Sequence, residues 1–379
     1  MKTRYAAPVA LAVLASAAHA GGLDRTGQSI DILFEEGNYI EFSAGHANPN
    51  VQGRDVATFN AAQTPSGEIA QSFSQQAAGL KMDINERLSF ALVYDQPWGS
   101  DVSYTATNAN LATPGSALLG GTQAFADSDA ITGLLRYKFN ERFSVHGGLR
   151  WQQLEGTIAL SGAAYGAAPP GGLNGYSVSI DRDAALGWVA GAAYEIPDIA
   201  LRVALTYNSE IEHNFATVES LNPSVTTTTK TKTPQSVNLD FQTGIAANTL
   251  LMAGIRWADH SETKLRPSIA NVDLIDLEDS TTFSLGLARR FNENLVGSVS
   301  FEYEEASSDK LVSPLAPTNG YQSISIGLQY TQAKFKIAGG IRYTKLGNAF
   351  AETGTPDVAR ADFSDNDAVS FGFKVGYYF

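Results

Sequence analysis

The chain has 379 residues, 44% of them hydrophobic but only 17% charged, with 35 glycines and no cysteine. Such a length leaves room for two or three soluble domains or for one large all-β barrel, yet a soluble domain carries about 25% charged residues. Acidic residues outnumber basic ones by 39 to 26, a net charge of −13. That balance argues against nucleic acid as a partner. The missing cysteines exclude disulfide frameworks, thiolate metal sites and cysteine catalysis.

In chain order the first predicted element is a signal peptide over residues 1–20. Lys2 and Arg4 form its basic start, Ala6 to Ala17 its apolar stretch, and Ala18-His19-Ala20 a small-x-small cleavage site. The apolar run is broken by Pro8 and is shorter than the roughly 20 residues a membrane helix needs. A short stretch, 21–38, follows.

From residue 39 onward one pattern repeats: about ten residues of apolar/polar alternation, ended by a turn or a polar loop. Leu88, Phe90, Leu92 and Tyr94 alternate with Ser89, Ala91, Val93 and Asp95; Leu201, Val203, Leu205 and Tyr207 alternate with Arg202, Ala204 and Thr206. Strands are predicted over 39–47, 71–82, 87–96, 129–139, 142–158, 176–195, 199–212, 235–247, 249–259, 281–291, 294–305, 320–331, 334–346 and 367–379. One face is aliphatic and ends in Tyr, Trp or Phe; the other is Gly, Ala, Ser, Thr and scattered Arg or Lys. A soluble sandwich would show a charged face to water, so this asymmetry fits strands whose greasy side meets lipid. Backbone groups in hydrocarbon must all be paired, which requires closure into a barrel, here of about 14 strands. The short connections, such as Ile84-Asn85-Glu86-Arg87 and Phe139-Asn140-Glu141-Arg142, read as periplasmic turns and the long ones as outer loops. The last strand has an apolar residue at every second position from Val369 to Phe379 and needs a partner strand to be tolerable.

The hairpin Gly187-Trp188-Val189-Ala190-Gly191-Ala192-Ala193-Tyr194-Glu195 followed by Arg202-Val203-Ala204-Leu205-Thr206-Tyr207-Asn208-Ser209-Glu210 resembles that of the FadL/TodX (OMPP1) outer-membrane transporters for long-chain fatty acids and other hydrophobic compounds. Leu135-Arg136-Tyr137-Lys138-Phe139-Asn140 and Tyr94-Asp95-Gln96-Pro97-Trp98-Gly99 support it, and the closing Phe379 resembles the terminal aromatic of bacterial outer-membrane proteins. The resemblance implies an all-β transmembrane barrel over 39–379 with an N-terminal hatch in the lumen, here shortened to 21–38 and lacking an Asn-Pro-Ala segment. It also implies passive uptake across the bacterial outer membrane, with capture by outer loops and release through a lateral opening at a kink in the third strand. Gln96, Pro97, Trp98 and Gly99 match that position, since Pro97 removes a ladder donor; the alternative is that Pro97 simply marks the start of the loop.

Candidate substrate contacts are of two kinds. Leu118, Leu119 and Phe125 in loop 98–127, and Leu160 in loop 159–175, are more apolar than a loop needs to be; they either dock an alkyl chain or pack on one another. By alternation Arg136, Lys138, Arg150, Arg202, Arg256, Lys336, Arg342 and Lys374 face the lumen, because a charge facing hydrocarbon at mid-depth costs about 2–4 kcal/mol. Arg150, Arg256 and Arg342 are candidates for a carboxylate headgroup; most such cations are expected to pair with acids, hatch residues Asp24, Asp31 and Glu35 among them. Phe34 completes the hatch set. No catalytic constellation, cofactor motif or metal-ligand spacing appears, and the acidic run Asp273 to Asp279 reads as a solvated loop. The expected partners are a hydrophobic small molecule and the surrounding lipid and lipopolysaccharide, with the chain a monomer. The alternatives are a general or selective diffusion porin and, further off, an outer-membrane enzyme or adhesin.

Overall fold

Alternating sequence becomes strand register in the computed structural model, which describes residues 23–106, 115–169, 171–307, 310–354 and 356–379. The predicted signal peptide lies outside the described residues. Fourteen antiparallel strands make up one sheet. They are Tyr39–Asn50, Phe73–Asp83, Leu88–Asp95 continued as Gly99–Ser103, Gln123–Lys138, Phe143–Leu160, Tyr176–Ile196, Leu201–Asn208 continued as Ile211–Glu219, Thr226–Thr233 continued as Ser236–Ala246, Thr249–Ala258, Ser280–Arg290, Leu295–Glu304, Tyr321–Gln332, Phe335–Leu346 and Asp367–Tyr378. The first strand pairs with the last from Tyr39↔Tyr378 to Asn50↔Asp367, so the sheet has no free edge.

Which face points where follows from exposure. Along the last strand Val369, Phe371 and Phe373 are about half exposed, whereas Ser370 and Lys374 are buried. The large apolar side chains therefore ring the outside and the small or charged ones enclose the lumen, the arrangement of a barrel solvated by lipid. Aromatic pairs mark both rims: Trp188 with Tyr207 at 5.0 Å between ring centroids, and, at the opposite end, Phe143 with Tyr194 at 4.8 Å and Phe335 with Tyr377 at 4.9 Å.

The short turns share one device. Asn140 Oδ1 accepts from the backbone N–H groups of Arg142 and Phe143 at 2.8 and 2.9 Å; Asn85 does the same for Arg87 and Leu88, and Asn292 for Asn294 and Leu295.

The opposite end is more elaborate than a set of solvated loops. Leu311–Val312, Ala349–Thr353, Val358–Phe363, Gln52–Asp55 and Pro65–Glu68 form a second, five-stranded sheet over the barrel mouth. It encloses a core of Val51, Ile69, Val102, Tyr104, Leu119, Tyr321, Leu346 and Phe363. Buried Asp55 ties this cap together: its oxygens accept from Ser116 Oγ at 2.5 Å, Thr64 Oγ1 at 2.6 Å, and Asn60 Nδ2 and the Ala117 N–H, both at 2.8 Å. Burial in this dry core pushes the Tyr104 hydroxyl well above its ordinary pKa, and it donates to the Pro314 carbonyl at 2.8 Å.

Candidate functional site

Residues 23–38 run inside the barrel, and two kinds of contact hold them. Ile30, Ile32, Leu33 and Phe34 pack on Ala91, Leu134, Val189, Ala193 and Ala204, lumen-facing residues of the third, fourth, sixth and seventh strands. These wall positions are small or aliphatic where neighbouring ones are polar, so the apolar side of the segment has one place to go. Charges fix the rest. Arg256 Nε meets Asp24 at 2.6 Å, Arg202 meets Asp31 at 3.3 Å, and Lys336 pairs with Glu35, which also accepts from Tyr378 Oη at 2.6 Å. The Arg136 and Arg202 guanidiniums lie 4.5 and 4.2 Å from the Phe34 ring centroid.

The same segment meets a break in the wall. The third strand stops at Asp95 and resumes at Gly99, since Pro97 has no N–H to offer the ladder. In place of the missing strand pairing, Arg25 N–H donates to the Pro97 carbonyl at 2.8 Å and Gly99 N–H donates to the Leu23 carbonyl at 2.9 Å, with Asp24 opposite Trp98. Ser128 Oγ on the next strand both accepts from Trp98 N–H at 2.8 Å and donates to the Trp98 carbonyl at 2.7 Å. Gln96 Oε1 accepts from Gln76 N–H at 3.0 Å. The Arg25 guanidinium lies 4.4 Å from the Phe73 ring centroid and 3.4 Å from Asp127, so close to Gly99 that a Cβ there would stand 2.2 Å from Arg25 Cζ. Only glycine leaves Arg25 its place. The Trp98 indole is buried and meets His260 edge-on at 5.8 Å.

Two environments meet at this break. Beside it lies a small, mostly apolar cavity of about 50 Å³ lined by Phe73, Val102, Pro317 and Ala368. On the side of the lumen left open by the N-terminal segment is a larger cavity of about 380 Å³, whose wall is Gly, Ala and Ser interspersed with charges. Among those charges Arg342 pairs with Glu302 at 2.8 Å and Lys374 with Glu41 at 2.9 Å.

The residues singled out from sequence thus fall into separate places. Asp24 meets the Gln96–Gly99 break directly, while Asp31, Phe34 and Glu35 anchor the segment further along. Arg256 is engaged by Asp24, and also by Asn238 at 2.7 Å; Arg342 is held by Glu302 and Ser325; Arg150 is buried and donates to Thr132 Oγ1 at 2.9 Å. Leu118 and Leu119 are buried in the cap core, and Leu160 in a second cluster with Ile158, Tyr176, Val178, Phe215 and Leu265. Phe125 is not in a loop. It sits on the fourth strand, whose ladder runs back to Gln123, and its ring points outward, 42% exposed, away from the leucines it was grouped with. Arg25, Phe73, Ser128 and His260 escaped sequence reading, because nothing in their local pattern tells of a partner 30 or more positions away.

A closed lipid-facing barrel of fourteen strands, with an interrupted strand met from within by its own N-terminal segment, is an outer-membrane transport barrel. The profile of the outer membrane protein transport family (OMPP1/FadL/TodX) matches residues 8–379, and the chain belongs to that family, whose members are outer-membrane transporters of hydrophobic compounds. Solved structures share the fold at low identity. A Pseudomonas aeruginosa FadL homologue superposes with a TM-score of 0.71 at 15% identity, covering 92% of either chain. The Pseudomonas putida toluene transporter TodX gives 0.63 at 12% identity over 91% of either chain. The Ralstonia pickettii toluene transporter TbuX gives 0.62 at 11% identity, covering 100% of this chain and 99% of its own. No curated protein sequence matches this one.

Proposed function

We propose that this protein is a passive channel that captures long-chain fatty acids or similar hydrophobic compounds at its outer cap and releases them sideways at Gln96–Gly99, with residues 21–38 as the hatch. The observation that carries the reading is the break itself: an interrupted wall strand beside an apolar cavity, closed by the non-covalent contacts of Leu23, Asp24 and Arg25. Physical chemistry supports the sideways route. Each methylene left in a polar surrounding forgoes about 0.8 kcal/mol, so a greasy molecule gains nothing from the ion-paired luminal cavity and much from the lipid outside the wall. Residues 1–20 would be removed as a signal peptide. The barrel would work as a monomer among lipid and lipopolysaccharide, without catalysis.

A second reading of the cargo follows from the engaged cations. Arg150, Arg256 and Arg342 already hold protein partners, which favours a neutral cargo, such as the toluene in the names of two structural relatives, over a carboxylate. Uptake of radiolabelled oleate and toluene by cells with and without the protein, set beside sugar-driven swelling of liposomes, tests both. Protein-dependent uptake of either supports the channel; swelling without such uptake makes the protein a diffusion porin instead.

A further inference from the structure

Above the lipid band the wall has a second irregularity. The ladder between the sixth and seventh strands covers Leu201–Asn208 and resumes at Thr217–Glu219. Between these stretches, residues 181–188 face 209–216 without ladder pairing. Ser209 N–H donates to the Trp188 carbonyl at 2.9 Å at one end of the seam, and side chains bridge the rest: Ser209 Oγ accepts from Trp188 N–H at 2.9 Å, and Asp183 Oδ2 accepts from Asn214 N–H at 3.2 Å and lies 3.0 Å from His213 Nδ1. The seventh and eighth strands also both break at this level, at Ser209–Glu210 and Pro234–Gln235, so that 211–233 is a hairpin hinged on the barrel. Its outward face carries the pairs Glu210–Lys232 and Glu212–Lys230, which places it in water.

The inward face of this hairpin is buried and chemically mixed. His213 Nε2 lies 3.3 Å from Gln152 Nε2 on the fifth strand, and Gln152 Nε2 also donates to Thr233 Oγ1 at 3.3 Å. Gln152 Oε1 and the hydroxyls of Thr229 and Thr231, all in buried residues, have no hydrogen-bond partner. Leaving such groups unmatched is expensive. Turning the Gln152 amide over would only move the deficit to its other end, since one end already serves His213 and Thr233. Stacked on His213 at 5.4 Å is Phe215, which belongs to the apolar cluster with Ile158, Leu160 and Tyr176.

We propose that the shelf formed by Gln152 and by Thr231, which stands opposite His213 on the hairpin, binds the hydroxyl of a neutral molecule whose apolar body replaces contacts of the Phe215 cluster: a phenol or alkylphenol. A hydroxyl both donates and accepts, so it satisfies either end of the amide. A hydrocarbon leaves the shelf unmatched. A carboxylate finds the Asp183 carboxylate beyond His213 and no unengaged cation, because Arg150 already donates to Thr132. Access lies through the seam between residues 181–187 and 210–216, where side chains bridge the two strands. The inference rests on the reading of the protein as a hydrophobic-compound channel and specifies what part of its cargo it prefers.

The test is a 19F NMR titration of the full-length protein in lipid nanodiscs with 4-fluorophenol, fluorobenzene and 4-fluorobenzoate at pH 7, where the phenol is neutral. The phenol should bind about tenfold more tightly than fluorobenzene, the effect of one matched hydrogen bond, with the benzoate weakest. Gln152→Met should erase that preference, and Thr231→Val, which keeps the side-chain volume, should reduce it if the first variant fails to fold. Equal affinities for phenol and fluorobenzene would mean that an internal water already serves the shelf, and would overturn the proposal, as would a preference unchanged in both variants. If oleate and toluene uptake still depends on the protein in that case, the inference alone falls; if uptake does not depend on it either, the channel reading falls too.

Discussion

Gly99 shows how much one residue decides. A methyl group there has nowhere to go but into the Arg25 guanidinium, so Gly99→Ala should displace Arg25 and unseat the N-terminal segment from the wall break. The expected result is faster hydrogen exchange over residues 23–28 and uptake of hydrophobic probe raised several-fold, compared in vesicles at equal protein. Asp24→Ala acts on the same contact from the other side by leaving the largely buried Arg256 without its carboxylate. Breaking such a pair costs about 3–5 kcal/mol, which should appear as a clear fall in the temperature at which the folded band is lost on an unboiled gel. Asp55→Ala removes an acceptor from five donors in the cap. Each orphaned donor costs about 1–3 kcal/mol, so the outer loops should become protease-sensitive while the barrel stays folded.

Along each strand the energetic difference lies between adjacent positions. Phe371 meets lipid and Ser370 meets the lumen; Phe371→Arg should cost about 2–4 kcal/mol near mid-depth, whereas Ser370→Arg should disturb folding far less, provided the added cation finds an acid in the lumen. Refolding yield into bilayers, measured for the two variants side by side, checks this. The N-terminal segment works by the same economy in reverse, setting its apolar residues on the one sector of the lumen where the wall is aliphatic and its acids opposite Arg202, Arg256 and Lys336.

For the molecule as a whole, closure and occlusion are separate problems. Closure is solved by the pairing of the first strand with the last, and the lumen is narrowed by the N-terminal segment on one side and a folded cap above. On the proposed route a solute that follows water meets the cap, and one that follows lipid meets the break in the third strand. Removing residues 23–36 should therefore open the polar side, seen as sugar-driven liposome swelling above that of the intact protein; unchanged swelling would show that the cap alone seals the barrel.

Alternation with a two-residue period is a local property, so the strands, their facing and the Asn-based turns were legible from the chain: the period decides which side of a sheet a residue occupies, and greasy rows that end in aromatics leave lipid as the only solvent for one side. Pro97 could be read as an interruption for the same reason, because its lack of an N–H needs no context. Local pattern carries no information about partners across a closed ring. Only the tertiary structure decided that Asp24 and Arg25 fill the break, that Leu118 and Leu119 belong to a packed cap, that Phe125 faces outward, and that Gln152 is left half-matched beneath a hairpin from the other side of the seam. Those facts depend on barrel curvature and on which distant strands come within a side chain's reach, and curvature is a property of the closed sheet rather than of any segment in it.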